Sequence, residues 1–162
     1  MTDRPADAED RSVHGHMEGD LVVGGTTSQV ATLADRRSRY LTLVQLAGRR
    51  TETVVAGLID SYAGIPKSLR RTLTWDRGME LAAHQTFTTA TGVDVFFAAP
   101  RSPRQRGTNE NTNKLLRQYL PKGTNLATYT QADLNEIADR LDNRPRECLG
   151  YRTPAECVAL TG

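Results

Sequence analysis

The sequence predicts an α/β domain in which a mixed five-stranded sheet is flanked by helices. Three strand-like segments come first in this chain of 162 residues, with turn-forming or polar residues between them. Helical and strand-like segments then alternate, an order typical of parallel strands joined by crossover helices. Charged residues make up 25% of the chain and hydrophobic residues 38%, as in ordinary globular domains.

The first half of the predicted sheet is an antiparallel meander. Residues 20–23 alternate in the pattern of a first strand, and residues 29–34 and 40–46 give two more. The glycine-rich segment 24–28 and the polar segment 35–39 supply the turns between them.

The second half alternates helix and strand. Apolar residues at helical spacing predict a helix that begins at Thr51 and stops at Gly64. A fourth strand over 72–75, a helix over 80–91 and a fifth strand over 93–97 follow.

Three further helices are predicted beyond the sheet. The first carries Glu110 in its first turn, and the second begins at Thr130 with the pattern of a capping box. The last is short and begins at Thr153, with Pro154 at its first helical position.

Three acidic residues occupy distinct positions in this pattern. Asp20 lies within the first strand, Asp76 follows the fourth strand, and Glu110 begins a helix. Mg²⁺ prefers a few carboxylates and leaves positions open for water and phosphate. Three carboxylates brought together from separate elements would supply such a site.

The residues around these acids resemble the catalytic domain of bacterial transposases of the insertion-sequence-thirty family. The likeness runs through residues 15–21, 73–78, 102–111, 117–124, 143–146 and 149–156, so it covers nearly the whole chain. Between Asp76 and Glu110 lie the 33 residues 77–109, the spacing that the family leads one to expect. Met17 and Arg104 stand where the family usually has an aromatic residue.

The resemblance implies a ribonuclease-H-like fold of the integrase catalytic core type and a catalytic triad of Asp20, Asp76 and Glu110. The triad would bind two Mg²⁺ or Mn²⁺ ions, with Asp20 bridging them and the other two acids each binding mainly one. The implied activity is that of a polynucleotidyl transferase and metal-dependent DNA nuclease. It would cut double-stranded DNA at transposon ends and transfer the freed 3′-OH into target DNA.

Positive charge gathers around the third acid, although the net charge of the chain is only +2. In helical geometry Lys114 and Arg117 lie at about 40° and −20° from Glu110, while Leu115, Leu116 and Tyr119 lie on the opposite side. A solvated surface stabilised by an i, i+4 ion pair is the alternative explanation of this charged face. The predicted DNA-binding residues are Arg104, Arg106, Asn109, Asn113, Lys114 and Arg117.

Other candidates are weaker. His14 and His16 precede the predicted first strand and are candidates for part of a metal site; the alternative expectation is that His14 is exposed and that His16 helps to position that strand or the DNA. Arg144 and Arg146 are interpreted either as DNA backbone contacts or as solvated surface residues. The two cysteines lack the paired spacing of a zinc site, and no signal peptide or long apolar segment is present, so we expect a cytoplasmic protein without membrane contact.

The expected domain organisation is an acidic leader over residues 1–13 followed by an integrase-type catalytic domain over 14–162. The resembled transposases carry a helix-turn-helix region ahead of this domain, so the resemblance implies a C-terminal piece that lacks it. The expected partners are DNA and either a second copy of the chain or a full-length transposase. Two alternatives remain: a non-catalytic transposase remnant that regulates by binding DNA or dimerising, and a nuclease acting on RNA–DNA hybrids.

Overall fold

The computed structural model describes residues 15–25, 29–46, 51–65, 69–75, 81–97 and 107–159. The strands are β1 (His16–Val23), β2 (Gln29–Asp35), β3 (Leu41–Gln45), β4 (Thr72–Trp75) and β5 (Asp94–Phe97). The helices are α1 (Thr51–Ala63), α2 (Leu81–Thr91), α3 (Gly107–Leu116), α4 (Gln131–Asp142) and α5 (Pro154–Ala159). Short 3₁₀ turns occupy Leu126–Thr128 and Glu147–Leu149.

The five strands form one mixed sheet in the order β3-β2-β1-β4-β5. The first three strands are antiparallel neighbours, whereas β4 and β5 run parallel to β1. Each parallel strand is reached through a helix, α1 before β4 and α2 before β5, as parallel connections require. The predicted mixed sheet and its meander are therefore confirmed, and β1 lies at its centre.

Each face of the sheet has its own hydrophobic core. Side chains alternate between the two faces of β1, so Met17 joins one core and Val22 the other. The first core packs α1 and α2 against the sheet: Met17, Ala31, Leu33, Val44, Val54, Val55, Leu58, Tyr62, Ile65, Leu69, Leu73, Trp75, Phe87 and Val93. The second packs the other face against the segments that follow α3 and against α4: Val22, Val30, Ala34, Leu41, Leu43, Leu116, Leu120, Leu126, Leu134, Ile137, Ala138 and Leu141.

Helix α4 covers the outer edge of β3. The Gln131 side chain accepts a hydrogen bond from the Gln45 backbone N–H at 2.8 Å and donates one to the Leu43 carbonyl at 2.7 Å. The Gln131 side chain therefore pairs with one N–H and one carbonyl of the edge strand, as a neighbouring strand would at that position.

Both predicted helix caps are present. Thr130 accepts from the Asp133 N–H, and the Asp133 carboxylate accepts from the Thr130 N–H. The same reciprocal pair joins Thr153 and Glu156 at the start of α5.

Two sequence interpretations are wrong. His16 does not precede the first strand but begins it, and its Nδ1 lies 2.8 Å from Thr72 Oγ1 on β4. Arg146 is neither a surface residue nor exposed to DNA, because only 7% of it is accessible to solvent. Arg144, by contrast, is half-buried and donates a hydrogen bond to Gln118 Oε1 at 3.1 Å.

Arg146 lies near a buried acid at the end of α4. The Asp142 carboxylate accepts a hydrogen bond from the Leu41 N–H at 2.8 Å. The pKa of Asp142 is raised to about 8, because burial, with a smaller contribution from the charge of Asp139, outweighs the opposing effects of the Leu41 hydrogen bond and the Arg146 charge.

The predicted leader, residues 1–13, lies outside the described residues. Within the described part of the chain, none of the helices combines the length and the apolar character needed to cross a membrane.

Candidate active site

The central strand presents Asp20 to the face of the sheet that α3 covers. Asp20 shares its side of β1 with Val22, a residue of the second core. One carboxylate oxygen, Oδ1, accepts from the Leu21 N–H at 2.8 Å, and the other, Oδ2, accepts from Asn113 Nδ2 at 3.1 Å. Asp20 as a residue is half-buried.

The residue before Asp20 brings β4 close to β1. Gly19 pairs in parallel register with Trp75, the last residue of β4. A Cβ atom on Gly19 would overlap the Trp75 ring, coming within 2.4 Å of its nearest carbon. Only glycine therefore lets the indole lie against β1 here. Asp76 follows Trp75 in the chain and lies outside the described residues.

Helix α3 carries Glu110 over this part of the sheet. The structure describes the backbone of Glu110 as helical, whereas its side chain lies outside the described part of the molecule. Asn113, three residues further along the helix, makes the contact to Asp20. Residues three apart lie on one side of a helix, so Glu110 and Asn113 project from neighbouring positions on α3.

The opposite side of α3 is buried, as predicted. Leu116 is fully buried and Leu115 is half-buried against the second core, whereas Lys114 is exposed. Arg117 follows the last helical residue but continues the hydrogen-bond pattern, with its N–H bonded to the Asn113 carbonyl at 3.1 Å. Its Nη1 also donates to the Leu120 carbonyl at 3.3 Å. The predicted apolar side of α3 is thus confirmed, and Lys114 lies exposed on the helix.

Three other predicted site residues have side chains that the structure does not describe. Arg104 and Arg106 lie outside the described residues, as does the side chain of Asn109. Among the described side chains, no group of three His, Cys, Asp or Glu residues is arranged to hold a metal ion. Asp76 and the side chain of Glu110, two of the three predicted ligands, do not belong to these described side chains.

Sequence reasoning missed a buried ion pair beneath the site. Glu18 lies on the same side of β1 as Asp20, and its Oε2 lies 3.0 Å from Nη1 of Arg36. The exposed fraction is 0% for the Glu18 side chain and 1% for that of Arg36. The two residues are 18 positions apart, and their proximity depends on how β1 and β2 pair, so no local pattern could have indicated it.

The turn after β2 is also built around an acid. Asp35 Oδ1 accepts from the Gly15 N–H at 2.7 Å, and Oδ2 accepts from the N–H and the hydroxyl of Ser38 at 2.8 and 2.6 Å. These bonds fix the start of β1 and the turn toward β3. The strand that carries Asp20 is therefore anchored at its first residues.

Comparison with known proteins agrees with the fold. A model of the integrase core domain family matches residues 10–103. The chain is 52% identical over 156 residues to the transposase InsI for insertion sequence element IS30A of Escherichia coli strain K12. It is 46% identical over 157 residues to the transposase for insertion sequence element IS1086 of Cupriavidus metallidurans. Each alignment covers 96% of this chain but only 41% and 46% of these relatives, so the chain spans less than half of their length.

Solved structures share the fold at low sequence identity. The catalytic core domain of BIV integrase superposes with a TM-score of 0.66 at 15% identity, covering 91% of this chain and 95% of that one. A chain of the simian T-cell lymphotropic virus intasome, solved with the PP2A regulatory subunit B56 gamma, gives a TM-score of 0.65 at 15% identity, covering 89% and 54%. The fold is thus that of the retroviral integrase core, which is ribonuclease-H-like.

Proposed function

Because this chain belongs to the integrase core domain family, as the catalytic domain of an insertion-sequence-thirty transposase, we propose that it cuts DNA at transposon ends and joins them to target DNA. The observation that carries the proposal is the placement of Asp20. Its carboxylate lies at the centre of the sheet, one residue beyond the Gly19–Trp75 pair and in contact with the helix that bears Glu110.

The chemistry of the donor set fits a hard divalent cation. Asp20, Asp76 and Glu110 offer carboxylate oxygens from three separate elements, which is the ligand type that Mg²⁺ and Mn²⁺ prefer. An ionised carboxylate has about four lone-pair sites, so the two N–H bonds to Asp20 are compatible with metal ligation. Asp76 is the residue after Trp75 in the chain. Trp75 pairs with Gly19 across the sheet, and Gly19 is the residue before Asp20. We therefore assign these three acids to one metal site.

In this proposal Asp20, Asp76 and Glu110 would together hold two Mg²⁺ or Mn²⁺ ions. Such ions, when bound, promote an in-line displacement by activating the attacking oxygen and stabilising the leaving oxygen. The acids fix the cations, while basic side chains hold the DNA. In the first step a water oxygen bonds to the scissile phosphorus, the P–O3′ bond breaks, and a free 3′-OH remains. In the second step that 3′-OH attacks a phosphodiester of target DNA, and one P–O3′ bond is exchanged for another.

The DNA is held by positive charge beside Glu110. Lys114 is exposed on α3 and Arg117 is half-buried at its end, on the side of the helix that Glu110 shares. Arg104, Arg106 and Asn109 would extend this surface. Contacts of this kind bind phosphates and set the position of the duplex without reading its sequence.

The proposed partners are double-stranded DNA and other transposase subunits. The relatives are named as transposases, and one structural match belongs to an intasome. We propose that this chain associates with a second copy or with a full-length transposase when it acts on DNA.

Removal of the metal ligands tests the function. Nicking of duplex DNA by the purified protein is measured in the presence of Mg²⁺ and of Mn²⁺. Binding of Mn²⁺ to the protein is titrated separately, without DNA. We expect Asp20→Asn and Asp76→Asn to weaken Mn²⁺ binding and Glu110→Gln to abolish nicking. Asp60→Asn, on the exposed side of α1, is the matched control for loss of one carboxylate.

Three outcomes would contradict the proposal. Unchanged Mn²⁺ binding in both aspartate variants would show that these acids do not form the metal site. DNA binding without nicking in any divalent cation would favour the regulatory remnant, and cleavage confined to RNA–DNA hybrid would favour a ribonuclease.

A further inference from the structure

The hydrogen bond between Asn113 and Asp20 joins the two elements that the proposed metal site depends on. The Asn113 Nδ2 lies 3.1 Å from Asp20 Oδ2, and 93 positions separate the two residues in the chain. Asn113 belongs to α3 and Asp20 to β1, so the bond ties the helix to the central strand. Asn113 is half-buried, and its side-chain oxygen, Oδ1, is enclosed without a hydrogen-bond partner among the described residues.

The chemistry of the two groups fixes the orientation of the amide. An ionised carboxylate only accepts hydrogen bonds, and an asparagine amide donates only through its nitrogen. The reverse orientation would place the Asn113 oxygen against Asp20 Oδ2, with two negatively polarised atoms in contact. Nδ2 must therefore point toward Asp20.

We propose that Asn113 is a positioning residue that holds the Asp20 carboxylate in the orientation needed for metal binding. The terminal torsion of an aspartate is broad, so a carboxylate without such contacts rotates easily. In this protein Leu21 N–H binds Oδ1 and Asn113 binds Oδ2, so both oxygens are held. This inference rests on the proposed metal site, and it assigns to Asn113 a role other than contact with DNA.

The same bond ties the helix that carries Glu110 to the strand that carries Asp20. Asn113 follows Glu110 by three residues, which places it about 60° from Glu110 around the helix axis. A contact from Asn113 to Asp20 therefore fixes how α3, and with it Glu110, lies on β1. Hydrogen-bond partners of metal ligands typically contribute 10- to 100-fold to metal affinity.

Mn²⁺ titration of Asn113 variants tests the role in the absence of DNA. Asn113→Leu keeps the shape of the side chain but removes its donor, and Asn113→Ala removes both while favouring the helix. We expect each variant to bind Mn²⁺ at least about tenfold more weakly than the unmodified chain. The melting temperature of the metal-free protein should change little in Asn113→Leu. Asn135→Ala, an exposed asparagine on α4, is the matched control and should keep the original Mn²⁺ affinity.

The outcomes separate the positioning role from the metal site itself. Unchanged Mn²⁺ affinity in both Asn113 variants, with weakened binding in Asp20→Asn, would overturn the role of Asn113 and leave the metal site intact. Loss of helical signal in both metal-free variants would also overturn it, because Asn113 would then be a structural clamp. If Asp20→Asn binds Mn²⁺ with the original affinity, the proposed metal site is wrong, and the role of Asn113 is overturned with it.

Discussion

At the scale of single residues, the stretch from Glu18 to Asp20 shows how three adjacent positions serve different purposes. Glu18 is buried in an ion pair with Arg36, Gly19 makes room for Trp75, and Asp20 points toward α3. The sequence singled out Asp20 because an acid inside a strand is unusual and belongs to a specific motif. The roles of Glu18 and Gly19 depend on partners in other strands, so no local pattern reveals them.

Buried acids away from the site carry their own consequences. Asp142 is almost fully buried and accepts a hydrogen bond from the Leu41 N–H, which anchors the end of α4 to the edge strand. Burial disfavours the ionised form and raises its pKa to about 8, from an ordinary value of 3.8. The folded protein therefore holds more protons than the unfolded chain between about pH 4 and pH 8.

A pH-dependent loss of stability follows for Asp142. The contribution of protonated Asp142 to the free energy of unfolding is fully present below about pH 4. It disappears as the pH rises through about 8, because the unfolded chain releases this proton at a lower pH than the folded protein does. Asp142→Asn keeps an acceptor for the Leu41 N–H and removes the titration. We expect its melting temperature at pH 8 to exceed that of the unmodified chain by at least about 2 °C, with a smaller difference at pH 4. Parallel melting curves across this pH range would show that Asp142 does not titrate there.

At the scale of elements, most helices and strands were predictable because their signals are local. The β4 boundaries agree fully with the prediction, and the caps of α4 and α5 form the predicted bonds at Thr130 and Thr153. The first strand was predicted too short, since His16 and Glu18 are polar residues that are buried by tertiary contacts. The spacing of apolar residues along the chain does not indicate that a polar residue is buried when its partner lies in a distant segment.

Helix α3 combines a packed side with a charged side, and the charged side should contact DNA. Each basic residue that binds a phosphate releases counterions, so its loss lowers the slope of log affinity against log salt concentration by about one unit. We expect this change for Lys114→Ala and for Arg117→Ala on duplexes of any sequence. Arg140→Ala, an exposed arginine of α4 paired with Glu136, removes the same charge and should leave the slope unchanged. Equal slopes in all four proteins would identify the charged side as ordinary solvated surface.

At the scale of the whole molecule, chain order predicted the topology, whereas tertiary contacts decided the site. Three strands followed by alternating helix and strand lead to the observed order, with β1 between the meander and the parallel pair. That order places Asp20 on the central strand, next to the end of β4. The contact between Asn113 and Asp20 was not predictable, because it depends on how α3 lies across the sheet. The sequence singled out both residues but did not pair them.

The distribution of charge over the molecule predicts binding without sequence preference. The proposed DNA contacts gather near Glu110, and phosphate contacts position a duplex without reading its bases. Base readout usually requires an element seated in the major groove. We therefore expect this chain to bind duplex DNA with a dissociation constant of roughly 10⁻⁴ to 10⁻⁶ M at physiological salt.

Competition between a terminal-repeat duplex and a scrambled duplex of equal length measures the sequence preference, and the two duplexes should compete about equally. A hundredfold preference for the repeat would show that this domain reads DNA sequence itself, and base-contacting residues would then have to be sought on the surface around α3.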